Sequence, residues 1–291
     1  VRTEKAAVQA FYDDAGWRWN DDAAAFADGA AFDDLRPVTA AYRKRANERV
    51  REALPEEGNL MLDAASGAIQ YEDYARFSEG YRRRVCVDLS RRGLLAARRR
   101  IGAHGLFVRA DVTALPFAPG AFDAVVSLHT LYHVPAEEQA TFLREIARVL
   151  KAGRRAVVVS AWKTSPWDLA LRVPGALVRR ARRGVGKLRR LGRLGPPAPT
   201  EPPAAAASLY FHPTRRAWLP SAVPPGIALR VRCWRSASVD FLRGLGDSAW
   251  TLRLLAALTR IEEACPGWTG RWGAYPLLVL DKANPRRRES T

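Results

Sequence analysis

The chain lacks any apolar run approaching the roughly 20 residues that a helix needs to span a bilayer. Its opening, Val1-Arg2-Thr3-Glu4-Lys5, mixes acid and base where a secretory signal would be apolar. A cytoplasmic location is expected on those grounds. Cysteine is scarce, and Cys86, Cys233 and Cys265 stand too far apart for the close pairing of zinc ribbons and redox motifs. Cys86 sits inside an apolar run and reads as a small buried hydrophobe. Two of the four histidines, His129 and His133, lie close together but lack a nearby third ligand, so no metal site is expected. No internal repeat is present. One stretch has no acid at all: from Arg172 to Arg193 nine cations follow one another without a carboxylate.

What is present fits a single enlarged α/β domain, since 291 residues with 48% hydrophobic content can bury a substantial core. The net charge of +17 bears on partners rather than fold. From Leu60 to Trp162, short β-branched or apolar runs alternate with amphipathic stretches, the pattern of βαβ units and a parallel sheet. Strands are predicted near 60–64, 84–89, 106–110, 122–128 and 155–161. Ser90 is placed to cap a helix that Gly102 ends. After Pro135, Phe142, Ile146, Val149 and Leu150 recur at helical spacing, with Gly153 expected to close that helix. Strand character returns at Ile227–Trp234 and Pro276–Leu280, with helical periodicity around Phe241–Ala264 between them.

Four aspartates punctuate this pattern. Asp63, Asp88 and Asp111 follow the apolar runs, whereas Asp123 precedes one and is expected to be a structural turn residue. Carboxylates at the carboxyl ends of parallel strands line the crevice where open α/β sheets bind nucleotides. A nucleoside-containing ligand is the reading they suggest.

The segments carrying these acids resemble the class I S-adenosylmethionine-dependent methyltransferases. They are Leu62-Asp63-Ala64-Ala65-Ser66-Gly67-Ala68-Ile69-Gln70, Arg84-Val85-Cys86-Val87-Asp88-Leu89-Ser90, Ala110-Asp111-Val112-Thr113, Ala121-Phe122-Asp123-Ala124-Val125-Val126-Ser127 and Arg148-Val149-Leu150-Lys151-Ala152-Gly153. The resemblance covers about a third of the chain in the family's order. Ala65 and Ile69 depart from the family's glycines, and Gly67 keeps one. A dehydrogenase would need the fuller Gly-x-Gly-x-x-Gly for its pyrophosphate, but S-adenosylmethionine carries no phosphate.

The resemblance implies a Rossmann-like fold: a seven-stranded, mostly parallel sheet with helices on both faces and an insertion between strands five and six. It also implies S-adenosyl-L-methionine as cofactor. On it, Asp88 would accept from the ribose hydroxyls, Asp111 from the adenine amine with the Val112 backbone beside it, and Asp63 would lie near the amino-acid end. Ala65, Gly67, Leu89, Ser127, His129 and Tyr12 complete the expected cofactor surroundings. The chain would divide into a helical cap (1–58), a core (59–162), a basic, Pro-rich insertion and candidate substrate cap (163–226), and a C-terminal completion of the sheet (227–291).

The sulfonium activates its own methyl group, so such an enzyme needs mainly to align an acceptor and exclude water. His129 and His133, in Leu128-His129-Thr130-Leu131-Tyr132-His133, would share a face if the segment is helical, and are the candidate bases, His133 the better placed. Tyr12 and Trp17, in a segment resembling the family's approach to the core, are expected to form a lid or a staple. Leu209-Tyr210-Phe211-His212-Pro213 is expected to cap the acceptor pocket.

The expected reaction is methyl transfer to a small-molecule or lipid-linked acceptor. The alternative is a non-catalytic S-adenosylmethionine-binding protein docking on membrane or RNA. The cations of 172–193, interleaved with Trp167, Leu171 and Leu177, read as an interfacial membrane element. Nucleic acid is the weaker rival, because no RNA-binding module accompanies them. A solvated basic loop is the plain alternative. Oligomeric state is not legible.

Overall fold

The computed structural model describes residues 2–171 and 209–284. Seven strands form its main sheet: β1 (Gly58–Ala64), β2 (Tyr81–Asp88), β3 (Gly105–Arg109), β4 (Phe122–Leu128), β5 (Leu150–Val159), β6 (Ile227–Arg235) and β7 (Tyr275–Lys282). Their order is β3-β2-β1-β4-β5-β7-β6. The first five are parallel, and β7 runs antiparallel to both β5 and β6. The order reverses between β1 and β4, so a crevice opens above their carboxyl ends, the place where such sheets bind ligands.

The strands form because their side chains alternate between two apolar faces. Leu62, Val85, Val87, Val125 and Val158 belong to one buried cluster, and Met61, Cys86, Ala124, Val126 and Val157 to the other. Both faces are covered by helices, as a parallel sheet requires. In chain order the principal helices are α1 (Arg2–Phe11), α2 (Ala27–Phe32), α3 (Pro37–Ala53), α4 (Arg91–Ile101), α5 (Gln139–Val149), α6 (Ala249–Ala264) and α7 (Pro266–Trp272). Phe142, Leu143 and Ile146 of α5 pack into the first cluster, and Ala46 and Val50 of α3 with Leu94 and Ala97 of α4 into the second. Ser90 caps α4 by accepting from the Gly93 N–H at 3.0 Å, and Gly102 ends it at φ 61°. A cap of this kind contributes about 1 kcal/mol.

Two local expectations need correction. The helix expected after Pro135 starts only at Gln139, behind a 3-10 turn at Ala136–Glu138. It stops at Val149, so Gly153 does not close it. Instead β5 begins at Leu150, and its pairing with β4 jumps from Phe122–Leu150 to Ala124–Arg155, with Gly153 at φ 74° inside that irregularity. Glycine suits a bulge of this kind because it lacks the Cβ that makes positive φ costly. The histidine segment is not a regular helical turn either: His129 sits at φ 59°, and a short 3-10 turn follows at Leu131–His133.

The N-terminal segment crosses the open end of the crevice. After α1 comes a π-helical turn at Tyr12–Gly16, then a two-residue hairpin pairing Trp19–Asn20 with Ala25–Phe26. Beyond β5, Ser165 caps the helical residues 166–171 through its hydroxyl. The basic run from Arg172 to Arg193 and the Pro-rich stretch 196–204 lie outside the described residues. The chain is described again from Leu209, where His212 N–H donates to the Tyr132 carbonyl at 2.7 Å and Thr214 N–H to Ala161 at 3.0 Å. Among the described residues, no helix is long and apolar enough to cross a membrane.

Candidate active site

The turn after β1 is tight, and non-glycine residues supply two of its positive φ angles. Ala65, Gly67 and Ile69 have φ of 60°, 54° and 52°. Their strain is held by hydrogen bonds across the strand ends. Ser66 N–H donates to the Val87 carbonyl at 2.9 Å, and Gly67 N–H to Asp88 Oδ2 at 2.8 Å. The other carboxylate oxygen of Asp88 takes the Ser90 N–H at 2.7 Å. Burial pushes the Asp88 carboxyl up to about 6, against those two N–H groups.

Asp88 lies in the wall of a cavity of about 120 Å³. Asp63, Ala65, Gly67, Leu89, Asp111, Val112, Tyr12, His129 and His133 line the same space. Ser127 does not: its hydroxyl donates to the Ala64 carbonyl at 2.6 Å inside the sheet, so its expected place at the cofactor is corrected to a structural one. Asp123 sits at the opposite end of β4, where it accepts from Asn59 N, Leu60 N and Lys151 Nζ, a structural role as expected.

The carboxylates at the crevice differ in how they are held. Asp63 pairs with Arg84 of the adjacent strand, whose Nε donates to it at 3.1 Å and whose Nη2 is closer still. Both are buried, at 4% and 1% exposure. Burial raises the Asp63 carboxyl, and Arg84 opposes the rise. Asp111 is engaged from the N-terminal helix: Lys5 Nζ reaches it at 2.6 Å, donates to Thr113 Oγ1 at 2.8 Å and also pairs with Glu138. Against the push of burial, Lys5 and Thr113 hold Asp111 below the ordinary carboxylate range. Trp17 lies over the glycine turn, so that a Cβ at Gly67 would stand 2.3 Å from its ring and one at Gly93 2.9 Å from its Nε1. These two glycines are what let the indole approach.

A second cavity, of about 440 Å³, adjoins the first. Tyr12, Asp28, Gln70, Tyr74, His129 and His133 line both. Rings dominate its wall: Tyr71, Tyr132, Phe211, Trp234 and Tyr275 all contribute. Tyr12 stacks on Trp17 with centroids 4.9 Å apart. His133 donates from Nδ1 to the Tyr210 carbonyl at 2.8 Å, because a carbonyl can only accept. Its Nε2 then lies 3.4 Å from the Tyr12 hydroxyl, whose one proton has two acceptors to choose from, this nitrogen and the Asp28 carboxylate. His129 packs edge-on against Trp234 at 4.5 Å. Burial drives His133 down to about 4 and His129 to about 3, so both are neutral imidazoles near pH 7.

Asp28 is the group that sequence reasoning missed. It stands where the two cavities meet, facing the Tyr12 hydroxyl and the Gln70 amide. Burial pushes its carboxyl up to about 7, Tyr12 and Gln70 pull it back, and the Asp33 charge adds to the rise. Gln70 Oε1 has no hydrogen-bond partner among the described residues. The only sequence signal for Asp28 was its place downstream of Tyr12 and Trp17, in a segment whose role stayed general.

Comparison with known proteins supports the same assignment. A methyltransferase-domain family model matches residues 62–158. Residues 62–158 of this chain are thus a methyltransferase domain of the class I S-adenosylmethionine-dependent kind. The methyltransferases of this family use S-adenosylmethionine as cofactor. A demethylmenaquinone methyltransferase of Thermus thermophilus is 36% identical over 125 residues, 40% of this chain and 53% of that protein. A methyltransferase of Streptomyces halstedii, GfsG, is 31% identical over 123 residues, 39% of this chain and 43% of that protein. The chain therefore spans about half the length of the curated relatives it matches. In fold, it is similar to geranyl diphosphate C-methyltransferase from Streptomyces coelicolor, with a TM-score of 0.56 and 16% identity over 96% of this chain and 98% of that one.

Proposed function

We propose that the chain transfers a methyl group from S-adenosylmethionine to a small-molecule acceptor held in the aromatic cavity. One observation carries this reading: two cavities, one edged by strand-end carboxylates and one by rings, share a wall at Tyr12, Asp28, His129 and His133. The similar demethylmenaquinone methyltransferase, and the similar fold of geranyl diphosphate C-methyltransferase, support a small molecule as the acceptor class.

The chemistry of the first cavity fits the cofactor. Asp88 keeps lone pairs for ribose hydroxyls beyond its two backbone bonds, Asp111 and the Val112 backbone suit an adenine edge, and Asp63 with Arg84 forms a polar end for the amino-acid group. Leu89, Ala65 and Gly67 supply close backbone and apolar contact. Its volume is below the roughly 300 Å³ of typical ligand pockets, since Trp17 lies over the turn and Lys5 holds Asp111. Their position over the turn and in the cavity wall gives Tyr12 and Trp17 the role of a lid.

When bound, the cofactor supplies an already activated methyl group. The chain must orient the acceptor and receive its proton. Asp28, raised to about 7, is matched to that task near neutral pH. His133, with Nδ1 held by Tyr210, presents Nε2 to Tyr12 and orients it. His129, the weaker base of the two, borders the shared wall.

Incubating the protein with S-adenosylmethionine and a small-molecule cell extract tests the reading. S-adenosylhomocysteine release together with a methylated product supports it; cofactor binding without release under any extract would instead favour a non-catalytic binding protein. The membrane-surface reading rests on the cations of 172–193. Vesicle co-sedimentation of the full chain with and without 166–195 tests it, and equal binding by both forms rejects it.

A further inference from the structure

We propose that Lys5 and Asp13 latch the N-terminal segment along the first cavity from either end, and that these two latches set how fast S-adenosylmethionine enters and leaves. This rests on taking that cavity as the cofactor site.

Apolar burial does little to hold the segment. Among the described residues, the three clusters of buried apolar side chains draw no member from 2–17. Phe11 is buried, but its ring packs on Tyr12 and Phe32, themselves N-terminal. A segment with so little apolar burial opens locally at low free energy. Yet Lys5, Val8, Gln9, Tyr12 and Trp17 all line the cavity.

Polar contacts supply the hold. Lys5 Nζ, in the first half of α1, donates to Asp111 Oδ2 at 2.6 Å and to Thr113 Oγ1 at 2.8 Å, and it pairs with Glu138. These partners stand on two separate pieces of chain, the loop after β3 and the 3-10 turn before α5. Just past the end of α1, Asp13 Oδ1 accepts from Ser90 Oγ at 2.6 Å and from Arg92 N at 3.2 Å, at the start of α4. A carboxylate suits that place because a helix N-terminus carries partial positive charge. Lys5 and Asp13 are eight positions apart, roughly 12 Å along a helix. Val8, Gln9 and Tyr12 lie between them.

Lone pairs make the Lys5 latch compatible with a bound adenine. Asp111 Oδ1 accepts from Thr113 N and from Thr113 Oγ1, both at 2.8 Å. Oδ2 takes only Lys5 among the described residues, which leaves it a lone pair for an amine. Lys5 therefore closes the segment with or without the cofactor instead of competing with it. Closure in both states slows entry and exit together.

The test measures association and dissociation of S-adenosylhomocysteine with the full chain by stopped-flow fluorescence, for the wild type, Lys5→Met and Asp13→Ala. Each variant is expected to raise both rate constants by roughly threefold to tenfold, the scale of partly exposed ionic contacts, with Kd staying within about threefold. Added salt should speed both steps in the wild type and change Lys5→Met less. A rise in association alone would make Lys5 an occupant of the adenine place, and a rise in dissociation alone would make it a direct ligand contact. Either result overturns the latch, as do unchanged rates. Hydrogen exchange without ligand is the second readout: faster exchange confined to residues 2–17 is expected in both variants, and unchanged exchange there overturns the latch. If the wild type binds no S-adenosylhomocysteine, the cofactor reading falls and the kinetic role with it, while the exchange result still decides whether Lys5 and Asp13 hold the segment. If it binds and the rates do not move, the latch alone falls.

Discussion

The two halves of the crevice are built differently. The cofactor-side half comes chiefly from the carboxyl ends of β1 and β2 and from residues just after β3, within a short span of chain, and its tools are carboxylates and backbone N–H groups. The acceptor-side half gathers Asp28 and Asp33, Tyr71 and Tyr74, His129, Tyr132 and His133, Phe211, Trp234 and Tyr275 from across the described sequence. Its tools are rings, neutral imidazoles and one buried ion pair, Arg235 with Asp33. The first half depends on strand ends that any parallel sheet provides. The second exists only because the N-terminal segment and the last two strands arrive at the same place, which leaves it freer to differ in the acceptor it takes.

Substitutions on each side should therefore separate binding from turnover. Asp28→Asn is expected to lower kcat by about 10²–10⁴-fold while S-adenosylhomocysteine affinity stays within a few-fold, measured by product formation and calorimetry. Similar losses in both would remove Asp28 from proton transfer. On the other side, Asp88→Ala should weaken S-adenosylhomocysteine about 100-fold, because charge-assisted bonds are lost and the Gly67 and Ser90 N–H groups are left open. His133→Ala is expected to cost roughly tenfold in turnover with cofactor affinity nearly intact, the signature of orienting Tyr12. Unchanged turnover would end any such role.

The pH dependence follows from the raised carboxyl of Asp28. A folded pKa above the unfolded value favours folding while the group is protonated, and that contribution is lost as pH rises through about 7. Thermal melting of Asp28→Asn should accordingly gain on the wild type at pH 8 and show less gain at pH 5. Activity should run the other way, rising as pH passes about 7, because the base must be ionised. The smallest effect is expected at the turn: Ala65→Gly relieves a φ of 60° and should stabilise by about 1 kcal/mol in urea unfolding.

Much of the cofactor-side half was legible. Strand β4 falls at the predicted 122–128, and Ser90 caps α4, because alternating apolar runs and hydroxyl caps act through near neighbours. Asp88 and Asp111 line the cavity for the same reason. Less local facts escaped. Arg84 opens the predicted strand at 84–89 with no assigned partner, and β2 places it against Asp63 with 1% exposure. Ser127 ends a strand in the right place, but its hydroxyl turns back to Ala64. Lys5 is far from Asp111 in sequence, and nothing near either residue announces their contact. Tyr210 lies beside His133 and Phe211 beside Tyr132, contacts that no residue near either pair announces in the sequence.

From residue order alone came the βαβ alternation, the strand-end acids and the family resemblance, all of which depend on periodicity and spacing within a few turns of chain. Tertiary structure alone decided that Asp28 meets Tyr12 between two cavities and that Lys5 and Asp13 fasten the N-terminal segment along one of them. It also decided that both histidines are neutral. Burial, long-range contact and the loss of water around a titratable group are properties of the packed molecule, and no local pattern encodes them.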